Sequence, residues 1–310
     1  DGTKGMVLSK RKSQDIRNLR LVLIGDSLTR YQYISLVNYL EYGRWITIDD
    51  DPNPVLRRSY QPEGKWSQYF YQTNNDLHGR EVCDCYRDQL QKWYDRCYEN
   101  RYYWNPEQNT SVVFINKNGK YPVRGHFRTI PIPYNDTNNG TNVVEQTGTY
   151  TTKRKTTIED YETFNVTSLS SWSDYNWTSL IDNHLGTLNE PFRPKHVVFN
   201  AGHIGHDLHD VRVLQGIRLA FQRHNFVGIY KTTTADRGSS WLTYKPKAYE
   251  LTACGQQGDI SGDNRSMDFA FRCMNTSWTV GLNDTQYFDK KHFTPEAYQT
   301  MNEQMLQMIL

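Results

Sequence analysis

Nothing in the chain approaches the roughly 18 consecutive apolar residues that a membrane-spanning helix requires, and mean hydropathy is −0.79. A span within this sequence is excluded. Charge of one sign is also scarce, since 36 Lys and Arg face 34 Asp and Glu for a net charge of +2. The Lys10-Arg11-Lys12 cluster is too short for the basic face that nucleic acid needs, so no nucleic-acid partner is expected. Cysteine is sparse and odd in number, at five, with no Cys-x-x-Cys pair to suggest a zinc framework. Cys254 and Cys273 could close one loop, and Cys97 could pair with Cys83 or Cys85, which leaves one thiol free or intermolecular. No repeat of fixed period occurs.

What is present begins at Leu21-Val22-Leu23-Ile24, a short unbroken run of β-formers of the kind that sheets covered on both faces contain. It ends in Gly25-Asp26-Ser27, after which Leu28, Tyr31, Ile34, Ser35 and Tyr39 recur at helical spacing. A buried strand therefore feeds through a tight turn into a helix, with Ser27 at the corner. There its hydroxyl sits at the mouth of the sheet and its N–H among the unpaired donors of a helix start, where an acyl-transfer nucleophile would stand. The simpler reading of Ser27 is a helix N-cap.

At the other end, Asp289-Lys290-Lys291-His292-Phe293-Thr294-Pro295 precedes a final helix, with Thr294 as N-cap and Pro295 at its first position. A three-residue spacing on a turn lets the Asp289 carboxylate reach one imidazole nitrogen of His292 while the other points outward. Nucleophile, base and orienting group are then all available as Ser27, His292 and Asp289.

Gly25-Asp26-Ser27 with Asp289-x-x-His292 resembles the SGNH (GDSL) hydrolase superfamily. The longer string Gly25-Asp26-Ser27-Leu28-Thr29-Arg30-Tyr31-Gln32 is similar to the block of its PC-esterase branch, which includes the plant trichome birefringence-like polysaccharide O-acetyltransferases. Val197-Val198-Phe199-Asn200-Ala201-Gly202-His203 resembles the FNTGH stretch of that branch. The Phe293-Thr294-Pro295-Glu296-Ala297-Tyr298 sequence departs from the Cys- and Trp-rich surroundings of the plant proteins. The resemblance implies a three-layer α/β/α sandwich with a central, mostly parallel sheet. It also implies serine-dependent acyl transfer with no bound cofactor, an acetyl donor such as acetyl-CoA as co-substrate, and a polysaccharide or glycan acceptor. A carbohydrate acetylesterase with the same triad is the first alternative, and a non-catalytic glycan-binding relative the second. Donors to the oxyanion are expected from the N–H of Ser27 and from Asn200 or Gly202, because the superfamily's usual Asn position is held by Ile204. Arg30 and His203 are candidate substrate-binding residues, and Arg30 could instead brace the pocket.

Residues 1–17 read as a polar arm, and 18–310 as one domain with irregular insertions over about 42–135 and a mobile loop over about 135–161. Within the first insertion, 111–116 and 121–132 read as a hairpin. The crowded aromatics from Tyr86 to Trp104 are divided between helical core and contact with sugar faces, in a chain with 22 Tyr and 8 Trp. Farther on, a helix over 177–185, a strand over 196–200, a helix over 209–224 and a strand over 226–230 imply right-handed parallel crossovers. The His203, His206, Asp207, His209 and Asp210 cluster has metal-like spacing, but polar residues at a helix start fit it without a metal, and none is expected.

Asn-x-Ser/Thr triplets begin at Asn109, Asn135, Asn139, Asn165, Asn176, Asn264, Asn275 and Asn283. Their number favours a glycosylated product of the secretory pathway, in the Golgi lumen or outside the cell. The chain opens on Asp1 without a secretory leader, so any targeting segment or membrane anchor is expected outside it.

Overall fold

The apolar run at the start becomes the middle strand of the molecule. In a computed structural model of the chain, residues 12–47, 80–86, 98–117, 123–125, 173–188, 190–200, 202, 207–240, 242, 244, 247–255, 271–287 and 290–310 are described. Strand β1 (Arg20–Gly25) leads into helix α1 (Ser27–Tyr42). There follow β2 (Glu81–Tyr86), β3 (Tyr98–Asn105), β4 (Thr110–Asn116), β5 (Val123–Gly125) and β6 (Ser173–Tyr175). Helix α2 (Trp177–Ser179) runs on through a wide turn to His184 and a tight one to Thr187. The remainder is β7 (His196–Phe199), α3 (Val211–His224), β8 (Val227–Lys231), α4 (Ala248–Ala253), β9 (Arg272–Met274) and α5 (Pro295–Ile309).

A seven-stranded sheet has the order β2-β3-β4-β1-β7-β8-β9. The pairs from β4 through β9 are parallel and the two pairs made by β3 are antiparallel, so the fold is α/β with a mostly parallel sheet. Strand alternation divides the core in two. Leu21, Leu23, Phe114, Val198 and Ile229 face α1 and α5, while Val22, Ile24, Ile115, Val197 and Phe199 face α3 and the helical run from Trp177. The three expected layers are present. All these strand side chains are at most 1% exposed, and full burial of an aliphatic or Phe side chain contributes about 1.5–3 kcal/mol.

Several expectations change. The polar arm ends before Ser13: Ser13–Asp15 form one helical turn, Ser13 is buried and Ile16 lies wholly in the core. Within the expected insertion, Glu81–Tyr86, Tyr98–Asn105 and Thr110–Asn116 are three strands of the central sheet. Nor do 111–116 and 121–132 form a hairpin, because β4 already has β1 on one side and β3 on the other, while β5 pairs with β6. The aromatics from Tyr98 onward lie on a strand rather than a helix. The loop over 135–161 lies outside the described residues.

Helix α1 shows why the sequence pattern understates its burial. Every residue from Leu28 to Leu40 is buried, the polar ones included. Buried polar groups need partners, and several are recorded. Arg30 pairs with Glu99 at 3.0 Å, and Arg101 pairs with both Glu99 (2.6 Å) and Glu81 (3.2 Å). The Tyr33 hydroxyl donates to Glu81 at 2.7 Å. This buried network fastens α1 to β2 and β3.

The Cys254–Cys273 disulfide is formed and joins the end of α4 to β9. Cys97 and the side chains of Cys83 and Cys85 lie outside the described residues. Among the sequons, Asn109, Asn176, Asn275 and Asn283 are exposed. Asn135, Asn139, Asn165 and Asn264 are outside the description.

Candidate active site

Ser27 is the first residue of α1, directly past the carboxyl end of the central strand. Asp26 caps the helix by accepting the Leu28 N–H at 3.0 Å, and its carbonyl accepts from Arg30 N–H at 3.0 Å. Gly25 is required by the descent of the helix onto the strand: a Cβ there would lie 2.2 Å from Thr29 Oγ1. The Ser27 N–H has no acceptor within the helix and lies at the positive end of its dipole.

His292 arrives from the opposite end of the chain. Phe293, wholly buried, makes a lone bridge with Tyr287 and donates its N–H to the Tyr298 hydroxyl at 3.3 Å. Thr294 is the N-cap of α5 and Pro295 opens the helix, as expected. These contacts seat His292 at the mouth of the sheet, with Tyr31 packed edge-on to its ring at 5.4 Å. Ser27 Oγ and His292 Nε2 are 2.8 Å apart, across 265 residues of sequence. With its proton on Nδ1, the imidazole accepts the serine hydroxyl's hydrogen, which is the geometry of a base beside its nucleophile. Asp289 and His203 lie outside the described residues.

The other expected oxyanion donors are otherwise engaged. Gly202 donates its N–H to Asn200 Oδ1 in a very short contact, and the Asn200 amide donates to the Lys231 carbonyl at 2.6 Å. Asn200 is 3% exposed, so it ties Gly202 to the end of β8. Gly202 has φ +67°, and a Cβ on it would meet Asp26 Oδ2 at 2.3 Å. Gly202→Ala is therefore expected to cost about 1–3 kcal/mol and to slow any chemistry at Ser27, read as a lowered melting temperature together with a lowered esterase rate.

Arg30 does not reach outward. It is 2% exposed, ion-paired to Glu99 and stacked over the Tyr31 ring at 4.9 Å, so it braces rather than contacts substrate directly. Of the acidic and histidine cluster after β7, His206 as well as His203 lies outside the described residues, and the described members have separate tasks. Asp207 accepts from Lys117 Nζ at 2.9 Å and from Trp177 Nε1 at 2.7 Å, His209 stacks on Tyr249 at 4.3 Å, and Asp210 caps α3. Burial lowers the Lys117 ammonium's pKa, and the Asp207 charge partly restores it.

Two buried lysines at this edge escaped the sequence reading. Lys117 ends its strand one residue past β4, donating its N–H to the Gly25 carbonyl at 2.8 Å. Lys231 ends β8 and sends its Nζ under α1, to Thr29 Oγ1 at 2.9 Å and Gln32 Oε1 at 3.0 Å. Each opens or closes a polar stretch in the sequence, which reads as a solvated turn. Comparison of the chain with protein families, with curated proteins and with solved structures finds no match.

Proposed function

We propose that the protein is a serine-dependent O-acetyltransferase that carries an acetyl group through an acetyl-serine onto hydroxyls of a polysaccharide or glycan. The observation that carries this reading is the 2.8 Å contact between Ser27 Oγ and His292 Nε2. His292 takes the proton of Ser27 as its oxygen attacks the acetyl carbonyl, and returns that proton to the leaving group of the donor. A sugar hydroxyl, deprotonated by the same imidazole, then attacks the acetyl-serine. The Ser27 oxygen leaves and recovers the proton. The Ser27 N–H at the start of α1 is the first donor for the oxyanion.

Transfer is preferred over hydrolysis on the resemblance of the Gly25 to Gln32 and Val197 to His203 blocks to polysaccharide O-acetyltransferases. The reactive contact weighs against a purely glycan-binding role. The sequons support a setting in the secretory pathway, with the Golgi lumen preferred. Exposure to para-nitrophenyl acetate followed by acid quench and peptide mass spectrometry is expected to find acetyl on Ser27. Adding oligosaccharides to the reaction is expected to yield acetylated sugar. Free acetate alone would make the protein an esterase, and a label on some other residue would end the proposal.

A further inference from the structure

We infer that Lys231 is a positioning residue for this reaction: its buried ammonium fixes the first turn of α1, and with it Ser27, and balances the Asp26 charge beside the nucleophile. The inference rests on the acyl-serine reading above.

Lys231 is 2% exposed, and a buried ammonium is costly unless it is held. Its two hydrogen-bond acceptors, Thr29 Oγ1 and Gln32 Oε1, are neutral and lie two and five residues beyond the nucleophile. Gln32 is itself tied to the base-bearing side of the molecule, because its carbonyl accepts from Asn302 Nδ2 of α5 at 3.0 Å. One ammonium thus locks the serine helix onto β8, and the main-chain carbonyl of the same Gln32 ties that helix to α5. The Lys231 carbonyl, through Asn200, also fixes Gly202.

The charge has its own use. Asp26 is the carboxylate that favours the charged form of Lys231, and it sits one residue before Ser27. In acyl attack, negative charge develops on the carbonyl oxygen at the start of α1. An uncompensated Asp26 anion there would oppose it, and a fixed ammonium beneath the turn offsets that repulsion.

Among the described residues the ammonium's hydrogen-bond partners are neutral, Thr29 Oγ1 and Gln32 Oε1 from α1, and the charge recorded as acting on it is that of Asp26. Burial lowers the ammonium's pKa to about 8, against the pull of Asp26. The charge is then present below that pH and lost above it. The unfolded chain keeps this proton to about pH 10.4, so losing it in the folded state makes the fold more stable as pH rises from about 8 to about 9.5. Activity and stability are expected to move in opposite directions through this window, which alkaline unfolding would not produce.

The test measures kcat for para-nitrophenyl acetate and the melting temperature from pH 6.5 to about pH 9.5, for the wild type, Lys231→Met and Thr29→Val. Wild type is expected to lose rate above about pH 8 without losing stability. Lys231→Met is expected to lower kcat about 10- to 100-fold, the scale of a displaced catalytic group, and to abolish the alkaline limb. Thr29→Val removes one acceptor from the ammonium and is expected to move the limb to lower pH. A limb that is absent in wild type, or unchanged in Lys231→Met, overturns the inference. So does a Lys231→Met enzyme with wild-type kcat. Should Lys231→Met fail to fold, the wild-type profile and the Thr29→Val shift decide alone. Loss of the acetyl adduct in Ser27→Ala alongside a wild-type Lys231→Met would sink this inference and leave the acyl-serine reading standing. An active Ser27→Ala would sink the reading itself.

Discussion

Ser27→Ala is expected to lower acetyl turnover by about 10³-fold or more, as loss of a nucleophile does elsewhere, while leaving the protein folded. The change removes a hydroxyl that is partly exposed and whose recorded partner is the His292 ring nitrogen. Alanine is a good former at the first position of a helix, and the cap is made by Asp26 rather than by Ser27. The unfolding transition should therefore stay within about 1 kcal/mol of wild type, the scale of one hydrogen bond. Steady-state hydrolysis of para-nitrophenyl acetate with thermal melting by circular dichroism checks both parts. Full turnover in the variant would remove Ser27 from the mechanism.

Arg101→Ala carries the largest expected effect on stability. The guanidinium is wholly buried between Glu99 and Glu81, and both carboxylates are at most 2% exposed. Removing it withdraws from two buried anions a cation that they share, and breaking buried pairs in this way costs about 3–5 kcal/mol. The damage should spread to the site. Glu99 also holds Arg30, Glu81 also holds Tyr33, and both of those residues sit on α1. Urea unfolding should show a lowered midpoint together with a lowered esterase rate. Replacing Arg101 with Met, which fills much of the same volume without charge, should be as harmful, because the anions rather than the space are what need the cation. A variant as stable as wild type would contradict this account.

How much of this could be read beforehand depends on what the residues had to reveal. Strands β1, β7 and β8 and helix α3 are legible because their cores are apolar in the pattern of their own secondary structure: Leu21 to Ile24, Val197 to Phe199, Ile229 and Tyr230, and Leu214, Ile217, Ala220 and Phe221. Strands β2 and β3 are not. Their described buried positions include Glu81, Glu99 and Arg101, charges that pair with one another within β3 and across to β2, and the neutral but polar Asn100, so a simple alternation of apolar and polar residues does not mark them. The hairpin expected after β4 failed because local turn signals say nothing of which distant strands already occupy both edges. At the site, Ser27 and His292 announce themselves through neighbours in sequence, whereas the meeting of Gly202 with Asn200 rather than with an oxyanion depends on a side-chain choice that no motif records. Lys231 is the clearest omission, since a lysine before Thr232-Thr233-Thr234 resembles the start of a solvated turn and only its path beneath α1 distinguishes it.

The two halves of the reactive pair differ in how they are assembled. The serine corner is local, made by residues adjoining one strand and one helix, and can take shape while much of the chain is unformed. The imidazole comes from a segment 265 residues away and is seated by the contacts of Phe293 and by the packing of α5 on α1, long-range contacts whose loop-closure entropy is repaid late in folding. Partly folded copies thus hold a hydroxyl without its activator. On the proposed mechanism, reactivity would belong to the finished molecule, and a copy without α5 docked is expected to be silent rather than indiscriminate.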